Sequence, residues 1–165
     1  MAGPFERVSP ELVRLTVSRD ELDLLRGLPA QLGDVLGEGE ADPAAARLFP
    51  PAYDDPAEAD AAAEYQRLMH DELLRGKLAA VDTVRRTLER AAKLRGSRWA
   101  VDLGEEETAA WLGVLNDLRL TLGVRLGVTE DLDGDVDDDD PRAPGFHLLY
   151  YLGWLEEHLL TQLEP

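Results

Sequence analysis

The sequence contains no cysteine among its 165 residues. Disulfide bonds, thiolate zinc sites and cysteine nucleophiles are therefore excluded, and a chain without thiols fits a reducing compartment. No apolar run approaches the roughly 18 consecutive residues that a membrane-spanning helix needs. The first ten residues lack the basic start and apolar segment of a secretory signal. Together these absences predict a cytoplasmic protein that does not bind membranes.

Signatures of common enzyme classes are missing as well. The chain has no GxGxxG, GxxxxGK[ST], HExxH or GxSxG pattern. Its three histidines, His70, His147 and His158, lie far apart in the sequence. None of them has a second ligand or an orienting carboxylate at helical spacing. We therefore expect no catalytic site, no cofactor and no bound metal.

Basic residues are few and unevenly placed. The chain has 17 Lys and Arg against 34 Asp and Glu, a formal net charge of −17. Such an excess repels nucleic acid, so we expect the protein to bind DNA feebly by itself. Eight of the basic residues lie between Arg75 and Arg98. On one helix, Arg86, Arg90 and Lys93 would share a face. That face is either ordinary helix-end charge or a docking surface for an acidic partner.

An acidic run fills residues 129–140, with eight carboxylates and no basic residue. We expect a flexible acidic loop over about 129–144. Around Gly134 the alternate aspartates resemble a calcium-binding loop, and they are Asp131, Asp133, Asp135 and Asp137. Thr129 stands at the first ligand position, however, and Asp140 replaces the usual final glutamate. A solvated charge run is the favoured interpretation; weak Ca²⁺ binding and docking on the basic helix stay open.

Hydrophobic spacing predicts mainly helices with a small sheet. Period-two apolar residues around Val13–Val17 predict a hairpin, and residues 98–103 predict a third strand that pairs with it. The box Ser18-Arg19-Asp20-Glu21 starts a helix that Pro29 should bend or restart. Further helices are predicted after Asp42-Pro43, after Asp55-Pro56, over 105–126 and over 146–163. We predict one mainly α domain over residues 1–165, with a small antiparallel sheet near the N-terminus.

The helix after Asp55-Pro56 is expected to bend or break near residues 71–76 and to end at Gly96. It carries the apolar residues Tyr65, Leu68, Leu73, Leu78, Val81, Val84 and Leu88.

Two helices carry polar or aromatic side chains that admit a functional interpretation. Asn116, Asp117, Arg119 and Arg125 interrupt the apolar helix 105–126. They form either a polar pocket or, as we favour, charges that pair with neighbouring helices, because buried charges are normally paired. On the last helix Tyr150, Trp154 and His158 follow one another at intervals of four residues. This row is either the edge of the core or an interface, where aromatic residues are common.

Five stretches resemble an actinobacterial family named after the oxidative-stress regulator AosR. They are ELDLLRGLPAQL (21–32), DPAAARLFPPAY (42–53), EYQRLMHDELLRGKLAAVDTVRRTL (64–88), AWLGVLNDLRLTLGVRLGVTED (110–131) and YLGWLEEHLL (151–160). The block from Trp111 to Asp131 is the most specific, and together the stretches cover most of the chain. The family was long known as a domain of unknown function, and its genes often lie near that of the protease adaptor ClpS.

The resemblance implies a non-enzymatic regulator that acts through a transcription partner. The family's named role involves a redox-active cysteine pair, and a chain without cysteine has no residues for that mechanism. We expect a regulatory module, linked to transcription or stress response, that binds a protein partner. The candidate partner-binding residues are Arg86, Arg90, Lys93, Tyr150 and Trp154. The alternatives are a proteolysis-linked adaptor and an enzyme of unrecognised type using the polar helix residues; a homodimer is also open.

Overall fold

Helices make up most of the computed structural model, which describes residues 3–49, 59–128 and 137–165. The helices are α1 (Arg19–Glu38), α2 (Pro43–Ala46), α3 (Ala59–Glu89), α4 (Glu105–Leu126) and α5 (Ala143–Leu163). The strands are β1 (Phe5–Ser9), β2 (Leu12–Ser18), β3 (Ala92–Lys93) and β4 (Arg98–Leu103). The predicted fold class, mainly α with a small antiparallel sheet, is confirmed.

The sheet has the order β1-β2-β4-β3, with antiparallel pairing throughout. Leu15 lies opposite Phe5 on one side and opposite Val101 on the other. Alternation along the strands turns these side chains to the core, where all three are buried. On the opposite face Arg14 donates a hydrogen bond to Asp102 over 2.7 Å. The predicted hairpin and its third strand are therefore confirmed.

Helix α4 is the centre of the helical layer, because it packs along both α3 and α5 while α1 packs along α3. Trp111 on α4 is fully buried, and its ring meets the Phe5 ring edge-on with centroids 6.1 Å apart. The indole N–H donates to Thr87 Oγ1 over 2.9 Å, and the Thr87 hydroxyl donates to the Val84 carbonyl over 2.7 Å. This chain of hydrogen bonds satisfies the polar groups that close packing removes from water.

Helix ends follow local rules that the sequence shows in advance. The Ser18 side chain accepts from the Glu21 amide, and the Glu21 carboxylate accepts from the Ser18 amide, which completes the predicted capping box. Helix α4 has the predicted bounds and ends at Gly127, whose φ of 69° places it in the left-handed region. Helix α5 begins at Ala143, three residues earlier than predicted, because Pro144 is tolerated in a first helical turn.

Helix α3 departs most from expectation. It runs unbroken from Ala59 to Glu89, so of the predicted bend or break near 71–76 the break does not occur. A glycine inside a helix costs about 1 kcal/mol, which the packing of Leu74, Val81 and Leu88 on the core offsets. The helix also stops before Gly96, since Ala92–Lys93 forms β3 instead.

Two further expectations concern prolines. Helix α1 continues past Pro29, which is buried, and does not restart there. The predicted start at Asp55-Pro56 lies outside the described residues.

Among those that are described, no helix is both long enough and apolar enough to cross a bilayer.

Candidate interaction surfaces

The outer face of α5 carries two large aromatic side chains. Tyr150 is 51% exposed and Trp154 is 43% exposed. The Trp154 ring lies against Tyr151, with centroids 5.9 Å apart, and against His158, with centroids 4.9 Å apart. Trp154 is therefore held in position by its neighbours while much of its ring faces solvent. An immobilised, half-exposed tryptophan is typical of an interface anchor, because binding then costs little side-chain entropy.

The rest of α5 explains why this face turns outward. Leu152, Leu155 and Leu159 form the buried stripe, and Glu156 pairs with Arg119 on α4. His158 packs so closely against the N-terminal segment that a Cβ added to Gly3 would lie 2.6 Å from its Nδ1. The structure thus places His158 in a packing contact, and Tyr150 and Trp154 on the exposed face. We use the name α5 aromatic row for Tyr150 and Trp154.

The predicted basic trio does not share one helix face, because α3 ends before two of its members. Arg90 follows the helix and donates to the Glu107 carboxylate over 2.7 and 2.9 Å, and to the Asp102 carbonyl over 2.7 Å. Arg86 pairs with Asp82 over 3.1 Å, and Lys93 is an exposed residue of β3. Arg86, although paired with Asp82, and Lys93 are the members that lie exposed on the surface.

Arg90 instead ties three elements together: the end of α3, strand β4 and the first turn of α4. Its hydrogen bond to Glu107 raises the Arg90 pKa, and burial opposes the rise only in part. The same hydrogen bond holds the pKa of the Glu107 carboxyl below its usual range. Glu107 also accepts from the Gly104 amide at the start of α4, over 3.0 Å. Arg90 therefore has a structural role that its place in a basic run did not indicate.

The polar residues of α4 pair with separate neighbours and do not converge on a pocket. Asp117 accepts from Lys77 on α3 over 2.9 Å, and Arg125 donates to Asp42, just before α2, over 3.1 Å. Arg119 pairs with Glu156 on α5, and Asn116 is exposed. The favoured interpretation, charges paired with neighbouring elements, is confirmed. The polar pocket on which the enzyme alternative depends is not formed by these groups.

The Lys77–Asp117 pair lies between α3 and α4, with side chains 17% and 8% exposed. Burial raises the pKa of Asp117, although the hydrogen bond and charge of Lys77 act in the opposite direction. Nothing in the sequence identified this pair, because the two residues are 40 positions apart. Its role in the fold is to fix how α3 crosses α4.

A small cavity lies between α1, α4 and α5, and it was also missed by sequence reasoning. Its volume is about 60 Å³, and leucines line most of it, with Gln31, Thr121 and Arg125 at the side. Ligand pockets for organic molecules measure roughly 300–1,000 Å³. The cavity therefore has room for a few solvent molecules and not for a substrate.

Within the described parts of the chain, no group of three or more His, Asp or Glu side chains lies close enough together to hold a metal ion. His70 stacks on Phe49, with ring centroids 4.1 Å apart, and His147 is exposed on α5. Most of the calcium-loop pattern lies at 129–136, outside the described residues. At the end of the acidic run, Asp140 accepts from the Arg142 amide and pairs with its guanidinium over 3.0 Å.

Helix α3 shows a second apolar surface on its first half. Tyr65, Leu68 and Leu73, which the sequence analysis named among the apolar residues of this helix, are exposed, as is Met69. Leu74 packs on the core from the other side of the helix. Sequence spacing did not distinguish the two sides, because leucines at 73 and 74 allow either choice of face.

Comparison with known proteins identifies one matching family model and several related proteins. Residues 2–163 match the model of a family described as a domain of unknown function, DUF2017. The chain is 30% identical over 155 residues to a putative oxidative stress regulator AosR of Mycobacterium leprae, covering 87% of this chain and 67% of that protein. It is 29% identical to the oxidative stress regulators AosR of Mycobacterium bovis and Mycobacterium tuberculosis, covering 66% of each. The chain thus spans about two thirds of the length of these relatives. No solved structure matches.

Proposed function

Because the chain belongs to the DUF2017 family and is similar to mycobacterial oxidative stress regulators, we propose that it is a non-enzymatic regulator in the response to oxidative stress. It acts in the cytoplasm by binding a protein partner linked to transcription. The observation that carries this proposal is Trp154, 43% exposed and held between Tyr151 and His158. A residue of this kind contributes binding energy when a partner covers it.

The second part of the proposal concerns how the protein responds to oxidant. A chain without cysteine has no thiol to oxidise, so the response reaches this protein through its partner. Mild peroxide followed by dithiothreitol should leave its circular dichroism and its elution volume unchanged. A shift that peroxide causes and dithiothreitol reverses would contradict this part.

The binding proposal is tested by affinity capture from an extract of the native host, with quantitative mass spectrometry of what is retained. Trp154→Ala should lose most of the specifically captured protein, since anchors of this type cost at least about 2 kcal/mol when truncated. Leu160→Ala is the matched control, because Leu160 is similarly exposed on α5 and, six residues on, lies about 120° around the helix from Trp154. The proposal predicts that a component of the transcription machinery is among the proteins lost.

The basic residues provide a second arm of the same experiment. Charge reversal at Arg86 and Lys93 tests whether an acidic partner docks there, and it spares Arg90, whose hydrogen bonds hold the fold. Capture that falls with this double reversal and survives Trp154→Ala would move the binding surface from α5 to the end of α3. Capture that survives both changes would refute binding through either surface.

A further inference from the structure

The first half of α3 presents four apolar side chains to solvent. Tyr65 and Leu68 are each 64% exposed, Met69 is 48% exposed and Leu73 is 37% exposed. Their spacing places them on one side of the helix, which we call the α3 outer face. The opposite side of the same turns is seated on the protein, with His70 against Phe49 and Leu74 against the core. The α3 outer face is therefore a mostly apolar surface on an anchored helix, with the exposed Glu72 on the same side, and it has the form of a helix-pairing site.

Two charged residues flank this face along a single edge. Glu64 and Arg75 are eleven residues apart, close to three full turns of an α-helix, so they lie on the same side. Neither belongs to any ion pair found among residues 3–49, 59–128 and 137–165. One end of the edge is thus negative, the other end is positive, and the apolar face lies beside them.

The apolar face and the charged edge have nearly the same centre. The midpoint of Tyr65 and Leu73 is residue 69, and the midpoint of Glu64 and Arg75 lies between residues 69 and 70. At a rise of about 1.5 Å per residue, the two centres coincide to within ~1 Å along the helix axis. A two-fold axis through this point pairs the face with itself and brings Glu64 beside Arg75 of the other copy, twice.

We propose that the α3 outer face binds a second copy of this chain, with the two α3 helices antiparallel about a two-fold axis at Met69. Tyr65 of each copy packs near Leu73 of the other, and the two Met69 side chains meet at the axis. Isologous pairing of this kind is the commonest way in which soluble proteins form dimers. A parallel arrangement would instead put the two charged edges on opposite sides of the interface, where Glu64 of one copy cannot pair with Arg75 of the other.

The charge of the whole molecule favours this face over others for self-association. A net charge of −17 keeps two copies apart over most of their surface. Between Glu64 and Arg75 the chain carries three carboxylates and two arginines, so the local charge is nearly balanced. The proposal goes beyond the regulatory function above and leaves the α5 aromatic row, on another helix, available to a different partner.

Sedimentation equilibrium of the full chain tests the proposal directly. The wild-type protein should form dimers, with dissociation at micromolar concentrations because the face is small for an interface. Leu68→Glu should leave the protein monomeric at up to about 100 µM, since it places two like charges inside the apolar face. Leu160→Glu is the matched control: it adds the same charge at an exposed leucine of α5 and should leave the dimer intact. Circular dichroism checks that both variants fold.

Charge reversal tests the antiparallel arrangement. Glu64→Arg alone and Arg75→Glu alone should each raise the dissociation constant about tenfold, because each change breaks two symmetric pairs and adds repulsion. The double variant Glu64→Arg with Arg75→Glu should restore dimerisation to within about threefold of the wild type. A wild-type protein that is monomeric at all concentrations would overturn the proposal. A dimer that tolerates Leu68→Glu, or a double variant no better than the single ones, would also overturn it.

Discussion

Tyr151 donates a hydrogen bond to the Glu21 carboxylate over 2.7 Å, which joins the last helix of the chain to the first turn of α1. The same carboxylate accepts from the Ser18 amide over 3.1 Å and so closes the capping box. Burial disfavours the charged form of Glu21, but hydrogen bonds from Tyr151 and Ser18, with the charge of Arg98, outweigh burial and hold its pKa below the usual value. Burial and the bond to Glu21 raise the pKa of Tyr151 far above its ordinary range.

Removal of this hydroxyl should weaken the contact between α5 and α1. We expect Tyr151→Phe to lower the free energy of unfolding by about 1 kcal/mol, since the hydrogen bond is charge-assisted but only half-buried. Urea denaturation followed by circular dichroism measures the change. Tyr65→Phe is the control, because Tyr65 is 64% exposed and its loss of a hydroxyl should leave the midpoint unchanged. Equal midpoints for Tyr151→Phe and wild type would show that the bond adds no stability.

The low pKa of Glu21 predicts a pH dependence with a definite sign. A carboxyl whose folded pKa lies below its unfolded value of about 4.3 stabilises the fold above that pH. The contribution is lost as pH falls through the folded pKa. The wild-type protein should therefore be more stable than Glu21→Gln at pH 7, and the difference should shrink steadily below about pH 4. A difference that grows with acid would contradict this assignment.

The buried pair of Lys77 and Asp117 makes a stronger prediction. Asp117→Ala leaves the Lys77 ammonium enclosed without its partner, so we expect a loss of about 3–5 kcal/mol. The double variant Lys77→Met with Asp117→Leu removes both charges and should recover most of that loss. Arg86→Ala, which removes the exposed pair with Asp82, is the control and should hardly move the urea midpoint. A double variant as unstable as Asp117→Ala would show that packing, not charge, limits stability there.

Two helical glycines should respond oppositely to alanine. A Cβ at Gly145 would lie 2.7 Å from Leu126 Cδ2, where α5 approaches the end of α4, whereas a Cβ at Gly113 meets nothing within 4 Å. Gly113→Ala should stabilise the protein by up to about 1 kcal/mol through helix propensity. In Gly145→Ala the shift forced on Leu126 should cancel that gain or reverse it. Thermal unfolding compares them; equal stabilisation of both would mean that the α4–α5 approach is not tight.

Charge predicts the result of a DNA-binding assay. With a net charge of −17, the protein lacks the counterion release that drives non-specific binding to duplexes. A gel-shift assay at about 150 mM salt should show no complex below ~1 µM protein. A complex at lower concentration would place a nucleic acid among the direct partners and would require a concentrated positive surface.

Local signals predicted the elements whose two ends are marked by the sequence. Helix α4 has acidic residues in its first turn and Gly127 at its end, and its bounds were exact. The hairpin and β4 alternate clearly, so their pairing followed from pattern. Helix α3 has no such marks in its interior, and Gly76 indicated a break that long-range packing on α1 and α4 overrides.

The candidate surfaces were harder to predict, because exposure depends on which neighbours cover a residue. Tyr150 and Trp154 were named from spacing, and the structure leaves both exposed. The outward face of Tyr65 and Leu68 was missed, since an apolar stripe in a sequence does not say whether anything lies against it. Arg90 looked like one member of a basic run; its contacts with Glu107 and the Asp102 carbonyl depend on where β4 returns.

Strand β2 lies in the sheet between β1 and β4. During synthesis, β1 and β2 leave the ribosome long before β4 does. Arg14 and Asp102, paired in the finished sheet, are 88 residues apart in the chain. At typical synthesis rates that interval is on the order of ten seconds. Throughout it the hairpin is only two strands wide, and the unpaired edge of β2 is open to any other extended segment. The edge of β2 therefore stays open to other strands from the synthesis of the hairpin until β4 has been made.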